Sequence, residues 1–279
     1  MRIGSHARAV LICATIHRRN DDMDLGLRGR KVLITGGSKG IGASLGHAFA
    51  AEGANIILVS RSADALKVTG DAIRSRHQVT VETHAADLSK HEAREETMKK
   101  FPNIDILCNN AGAIPGGSIF DLSMERWIEA WQLKVFGYVH MTKLALEQMK
   151  PRKSGIIVNI IGMAGPNVRY DYVCGSTGNA GLNAFTKAIG SRTPDYGVRC
   201  FGINPAATRT DRIMTLSKAR AKSTFGDESR WEETLGDMPF GRLKEPDEVA
   251  ALAVMLCGPQ VEYLSGCMID MDGGHMFRK

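Results

Sequence analysis

The sequence is poor in the features that mark secreted, membrane-spanning or nucleic-acid-binding chains. Its six cysteines (Cys13, Cys108, Cys174, Cys200, Cys257 and Cys267) show no paired C-x-x-C spacing. That argues against a metal ribbon or a disulfide framework, and several of them fall in apolar runs where cysteine packs as a small hydrophobe. They are read as reduced thiols of an intracellular, cytoplasmic protein. An early apolar run, Ala9 to Ile16, is eight residues long and is flanked by Arg2, His6, Arg8 and by His17-Arg18-Arg19. It imitates a signal peptide but lacks a small-residue cleavage site, and it is too short to span a bilayer. Met23-Asp24-Leu25 would make a natural start, so residues 1–24 are read as an N-terminal extension, either an over-extended start or a flexible arm. Aromatic residues are scarce at 6%, and the net charge of +6 is diluted by acidic residues throughout. Generic basicity is the better reading, and no nucleic-acid or membrane partner is expected. With no repeat, linker or low-complexity tract in 279 residues, one large domain over residues 25–279 is expected, with room for a sizeable core.

What the sequence does contain is a glycine-rich turn, Thr35-Gly36-Gly37-Ser38-Lys39-Gly40-Ile41-Gly42, between an apolar strand (Lys31 to Ile34) and an amphipathic helix (Ala43 to Gly53). Glycines let backbone N–H groups approach a pyrophosphate, and the helix N-terminus adds partial positive charge. A second apolar strand, Ala54 to Arg61, completes a βαβ unit. Further strand patterns follow at Val79-Thr80-Val81, Ile104 to Cys108, Gly155 to Ile160, Gly197 to Ile203 and Cys267 to Asp270, alternating with helical stretches. This alternation predicts an α/β fold, a doubly wound parallel sheet of about seven strands flanked by helices.

Over residues 27–274 the chain resembles the short-chain dehydrogenase/reductase family. Thr35-Gly36-x-x-x-Gly40-x-Gly42 matches its phosphate-binding turn, where Ser38, Lys39 and Ile41 would also line the phosphates. Asp87-Leu88 looks like the pair that meets the adenine, and Asn109-Asn110-Ala111-Gly112 like the tetrapeptide that supports the sheet and the adenosine ribose. Pro205 to Thr210, with Thr208 and Thr210 as hydroxyls, is similar to the segment that cradles the nicotinamide carboxamide, although Ala206 stands where glycine is usual. Asp272-Gly273-Gly274 resembles the C-terminal signature. The resemblance implies a single Rossmann-type domain and a homodimer or homotetramer packed through helices around residues 123–150 and 172–194. It also implies a lid-like substrate segment near residues 209–240, carrying Arg209, Arg212, Lys218, Arg220 and Lys222. At the end of the second strand an acidic residue would bind a ribose 2′-hydroxyl, whereas this chain has Ser60-Arg61 and adds Lys39 in the turn. Cations there favour NADP(H) over NAD(H).

The family's proton-transfer set is a Tyr, a Lys four residues on, a Ser and an Asn. Aligned by its own landmarks, this chain places Lys134 at the Asn position, Gly162 at the Ser position, Gly175 at the Tyr position and Asn179 at the Lys position, and no Y-x-x-x-K occurs between Ile156 and Gly190. Asn179 would then meet the cofactor ribose. Two substitutes are weighed as catalytic residues. Lys134 and Asn179 occupy positions that neighbour each other in the family fold, so the ammonium can fill the usual lysine's space; alternatively it is solvated. Tyr172 lies seven residues before Asn179, the spacing that divergent enoyl reductases use for tyrosine and lysine; alternatively it packs with Tyr170 in the loop. Cys174, Ser176 and Thr177 are further proton-carrier candidates. The expected function is an NADP(H)-dependent oxidoreductase acting on an alcohol, carbonyl or activated double bond with a rearranged acid/base site. The alternative is a catalytically silent NADP(H)-binding regulatory or assembly protein.

Overall fold

Alternate side chains of a strand leave opposite faces of its sheet, so an uninterrupted apolar run is stable only where both faces are covered. Val32, Leu33 and Ile34 are all fully buried in β1 (Lys31–Thr35), and β2 (Asn55–Ser60) buries its four central residues in the same way. The computed structural model describes residues 23–236 and 238–278, without the side chains of Arg212, Leu216, Ala219, Arg220 and Ser223. The expected extension over residues 1–24 therefore lies almost wholly outside the described residues.

Five more strands follow: β3 (Val81–Ala85), β4 (Ile106–Asn109), β5 (Gly155–Ile160), β6 (Val198–Pro205) and β7 (Met268–Met271). The described helices are α1 (Gly40–Ala51), α2 (Ala63–Arg76), α3 (His91–Lys100), α4 (Met124–Leu133), α5 (Val135–Arg152), α6 (Val173–Gly190), α7 (Asp211–Phe225) and α8 (Pro246–Cys257). The strands form one sheet in the order β3-β2-β1-β4-β5-β6-β7, parallel throughout. The chain reverses direction across the sheet between β1 and β4, which opens a crevice at their carboxyl ends.

One face carries Leu45 and Phe49 of α1, Leu66 and Ile73 of α2 and Val249 and Val254 of α8 against Ile34, Ile56, Leu58 and Phe201. The other packs Met98 of α3 and Met141, Ala145 and Met149 of α5 against Leu33, Ile57, Leu107 and Ile157. Each such large side chain contributes about 1.5–3 kcal/mol on burial. A polar staple crosses this second layer. Asn109 Nδ2 donates to Thr142 Oγ1 (3.1 Å) and to Asn159 Oδ1 (2.9 Å), and Asn159 Nδ2 donates to Thr186 Oγ1 (3.0 Å), joining β4, β5, α5 and α6.

The third strand differs from the sequence expectation: it begins at Val81, where the apolar signal ends, and continues through Glu82-Thr83-His84-Ala85. As the edge of the sheet it pairs only with β2, so its residues are mostly partly exposed and the apolar run that marks a central strand is missing.

Candidate functional site

The glycine turn leaves the end of β1 with Gly36 at φ +68°, a left-handed conformation that favours glycine. Its N–H and that of Gly37 donate to Val59 O of β2. A Cβ on Gly42 would lie 2.1 Å from Gly36 O, and one on Gly37 would lie 2.8 Å from Leu58 Cδ2. The turn is therefore bare backbone closed on itself. Lys39, the N-cap of α1, has an extended backbone and makes no side-chain cap bond, so no side chain caps the first N–H groups of that helix, an arrangement that suits an anion. Three further polar side chains fix the turn. Thr35 Oγ1 accepts from the N–H groups of Asn110 (2.9 Å) and Ala111 (3.0 Å), Asn110 Nδ2 donates to Thr35 O (3.0 Å), and Thr69 Oγ1 donates to Ser38 O (2.8 Å). The first two lie inside the quoted motifs, whereas Thr69 carries no signal of its own in the sequence.

At the end of β2, Ser60 Oγ is buried and has no hydrogen-bond partner, next to the exposed Arg61. Across from it, Asp87 Oδ1 accepts from the N–H (3.1 Å) and hydroxyl (2.8 Å) of Ser89. Burial pushes the Asp87 carboxyl up, but the Ser89 hydrogen bonds and the charges of Arg61 and Lys90 outweigh it, leaving Asp87 below its ordinary value. Asp87 thus stays ionised, with Leu88 buried behind it.

The Pro205 to Thr210 segment leaves β6 opposite. Pro205 O accepts from Met163 N, and Ala206 N donates to Met271 O. Thr208 Oγ1 donates to Ala206 O (2.8 Å), and Thr210 caps α7 by accepting from Ile213 N (3.4 Å). Thr210 also reaches the phosphate turn, since a Cβ on Gly40 would meet its Cγ2 at 3.2 Å. Behind the segment, Lys244 N donates to Ala207 O, Lys244 O accepts from Arg209 N, and Lys244 Nζ donates to Met271 O. Burial lowers the Lys244 ammonium to about 8, opposed by the charges of Glu248 and Asp272. Of the basic side chains expected in the lid, Arg209 pairs with Glu245 (2.8 Å) and Lys222 with Glu228 (3.1 Å), while Lys218 is exposed.

The proton-transfer candidates lie around the exits of β4 and β5 and at the start of α6. Lys134 stands where α4 meets α5, and its side chain is buried, with Nζ donating to Ile160 O (2.9 Å), Ile161 O (3.2 Å) and Tyr138 OH (3.0 Å). Its stem crosses Gly112 so closely that a Cβ there would lie 2.3 Å from Lys134 Cδ. One residue further along the β5 exit, Gly162 O accepts from Asn179 Nδ2 at 3.5 Å. Lys134 and Asn179 thus end on successive carbonyls, and Asn179 Oδ1 is buried with no partner. Gly162 has φ +136°, and its N–H donates to Asn204 Oδ1 (3.2 Å), which Asp270 holds in turn through Asn204 Nδ2 (2.8 Å).

Tyr172 is the N-cap residue of α6, half-buried among Ile114, Leu122, Trp127, Trp131 and Cys174. Its ring lies over Gly175: a Cβ there would sit 2.0 Å from Tyr172 Cε1 and 2.1 Å from Cζ. Tyr170, by contrast, is exposed. Ser176 Oγ accepts from Arg169 N (2.9 Å), and Thr177 Oγ1 donates to Val173 O (2.9 Å). Burial pushes the Cys174 thiol up, as it pushes Cys200 and Cys257 up to about 12, so these thiols stay protonated and inert. All five described cysteines are free of disulfides.

A doubly wound parallel sheet with a glycine-built cradle at its switch point is the frame of nucleotide-dependent oxidoreductases. The short chain dehydrogenase family matches residues 30–221, and the chain belongs to it. The chain is 33% identical over 257 residues to the D-beta-hydroxybutyrate dehydrogenase of Cupriavidus necator, covering 89% of this chain and 98% of that protein. It is 28% identical to the 3-oxoacyl-[acyl-carrier-protein] reductase FabG of Aquifex aeolicus, covering 90% of this chain and 99% of that one. Among solved structures, L-sorbose reductase from Gluconobacter frateurii, complexed with NADPH and L-sorbose, is similar with a TM-score of 0.85 and 28% identity, covering 92% of this chain and all of that one. No helix among the described residues is long and apolar enough to cross a membrane.

Proposed function

We propose that the chain is an NADP(H)-dependent oxidoreductase acting on an alcohol, a carbonyl or an activated double bond, with Tyr172 as its proton carrier and Lys134 as the cation of the site. One observation supports this reading: the Tyr172 ring lies directly over Gly175, where an added Cβ would sit 2.0 Å from its Cε1 and 2.1 Å from its Cζ, and Gly175 is the position at which the resemblance expects the tyrosine.

The residues present fit a dinucleotide. The Gly36, Ser38, Gly40, Ile41 and Gly42 backbone would hold the pyrophosphate, and Ser60, Arg61 and Lys39 would hold a 2′-phosphate, the orphaned Ser60 hydroxyl being a ready donor. Asp87 and Leu88 would meet the adenine, and Ala111 and Gly112 would flank the riboses, with Asn109 buried beneath them in the polar staple of the sheet. The orphaned Asn179 Oδ1 would accept from a ribose hydroxyl, and Pro205, Thr208 and Thr210 would hold the carboxamide. When bound, the nicotinamide supplies or accepts the hydride. Tyr172 then gives or takes one proton at the substrate oxygen, work for which phenols in general, with an ordinary pKa of about 10, need a neighbouring positive charge at neutral pH. Lys134 is the buried cation beside the β5 exit. The commitment of its ammonium to two carbonyls and Tyr138 also suits the second reading, a silent NADP(H)-binding protein. We further propose a cytoplasmic homodimer or homotetramer packed through residues 123–150 and 172–194, which light scattering tests, and a substrate lid at residues 209–240.

The deciding experiment measures NADPH and NADH affinity, then NADPH oxidation against a panel of carbonyl and enoyl compounds, in wild type, Tyr172→Phe and Lys134→Ala. The expected result is NADPH preference with turnover that falls by about 10²–10⁴-fold in Tyr172→Phe. Tight binding with no turnover of any substrate turns the conclusion to the silent protein. Unchanged turnover in both variants removes Tyr172 and Lys134 from the mechanism, and a preference for NADH removes the cofactor assignment.

A further inference from the structure

Arg94, on α3, is 3% exposed, and its guanidinium is met by neutral acceptors. Nη1 donates to Leu88 O (3.2 Å) and Gln132 O (2.9 Å), and Nε donates to His140 Nδ1 (3.1 Å). A buried cation matched in this way adds little net stability, because desolvation offsets most of the hydrogen bonding. What it does is fix distances. Leu88 belongs to the Asp87-Leu88 pair, Gln132 lies two residues before Lys134, and His140 sits on the helix that Lys134 begins. One side chain therefore ties the adenine-side segment to the α4–α5 junction from two directions.

We propose that Arg94 and His140 form a positioning pair that couples the Asp87-Leu88 segment to the junction carrying Lys134, so that a ligand ordering one end orders the other. The coupling rests on the reading above, in which both ends belong to one cofactor site. His140 is the part of the pair that titrates. Its imidazole stacks on His91 at 4.2 Å and faces Arg94 and Glu95 from α3, with Lys143 on its own helix. Burial first, then the charges of His91, Arg94 and Lys143, hold it below its ordinary value against the opposing pull of Glu95. At neutral pH it is a neutral acceptor whose Nδ1 lone pair Arg94 uses, and protonation removes that lone pair and sets two cations side by side.

The same corner places His91, Glu95 and His140 with ligand atoms within 4.8 Å of one another, but it does not make a good metal site. The two imidazoles are parallel to within 5°, so one ion cannot lie in both ring planes, and Arg94 already holds His140 Nδ1.

Hydrogen–deuterium exchange tests the pair without cofactor. His140→Phe keeps the stacked ring and removes the acceptor, whereas His140→Asn keeps an acceptor at the Nδ1 position and does not titrate. At about pH 7.5, the amides of residues 86–90 and 130–137 should exchange about tenfold faster together in His140→Phe and stay near wild type in His140→Asn. NADPH affinity, read by fluorescence, should weaken about three- to tenfold between about pH 7.5 and 5.5 in wild type and in a His91→Asn control, but not in His140→Asn. Exchange that changes in one segment only, or in neither, overturns the coupling, and so does a His140→Asn pH profile matching that of wild type. If NADPH binds at no pH while the two segments still respond together, the cofactor reading fails and the coupling stands.

Discussion

A methyl group at position 175 would collide with the Tyr172 ring, and that contact gives the proposed proton carrier a test of its own. Gly175→Ala should displace the ring and reduce turnover about as much as Tyr172→Phe, while leaving NADPH affinity unchanged; steady-state kinetics beside a binding titration checks both parts. Gly42→Ala acts on the other half. Its Cβ would lie 2.1 Å from Gly36 O, so the turn must open, with an expected cost of about 1–3 kcal/mol in denaturant unfolding and loss of nucleotide binding. On the proposed cofactor assignment, Arg61→Ala should lower NADPH affinity by about ten- to a hundredfold while changing NADH affinity little, because the proposed contact is to a phosphate only one of them carries. The identities of these residues were legible in the sequence. That Tyr172 folds back over Gly175 was not, because seven-residue spacing to Asn179 says nothing about where a loop aims a ring.

At the scale of elements, local rules account for most starts and stops. Helix α8 opens with Pro246 at its first position and a reciprocal capping box between Glu245 and Glu248. Glu248 also accepts a two-pronged pair from Arg242 at 2.6 and 2.9 Å. That pair first, and then the Glu245 N–H, lower the Glu248 carboxyl to about 2. Since the folded value lies below the unfolded one, this stabilisation is present above pH 4.5 and is lost as pH falls toward 2. Glu248→Gln should therefore lower Tm at neutral pH and flatten the acid limb of a Tm-against-pH curve. The buried strands were legible as apolar runs because both their faces are covered. For the edge strand β3 the sequence marked only the start, Val79 to Val81, because Glu82, Thr83 and His84 look like loop residues until β2 supplies the hydrogen bonds.

For the whole molecule, the buried ammonium of Lys244 adds a dependence of the same sign at higher pH. The ammonium is lowered by burial from its ordinary 10.5 to about 8, so between those limits the unfolded chain binds more protons and stability rises with pH. Lys244→Met should raise Tm by about a few degrees near neutral pH and remove the rise on the alkaline side, as differential scanning calorimetry would show. By itself, the sequence determined the layered α/β architecture and the glycine turn between β1 and α1, because these follow from short-range periodicity, glycine spacing and residue identity. Only the tertiary structure decided that Lys134 and Asn179 end on successive carbonyls at the exit of β5, that Tyr172 fills the space over Gly175, and that Arg94 joins residues 88, 132 and 140. Those contacts link residues brought together by the crossovers of a parallel sheet or by the turn of a single loop, and no local pattern in the chain encodes the distance between them.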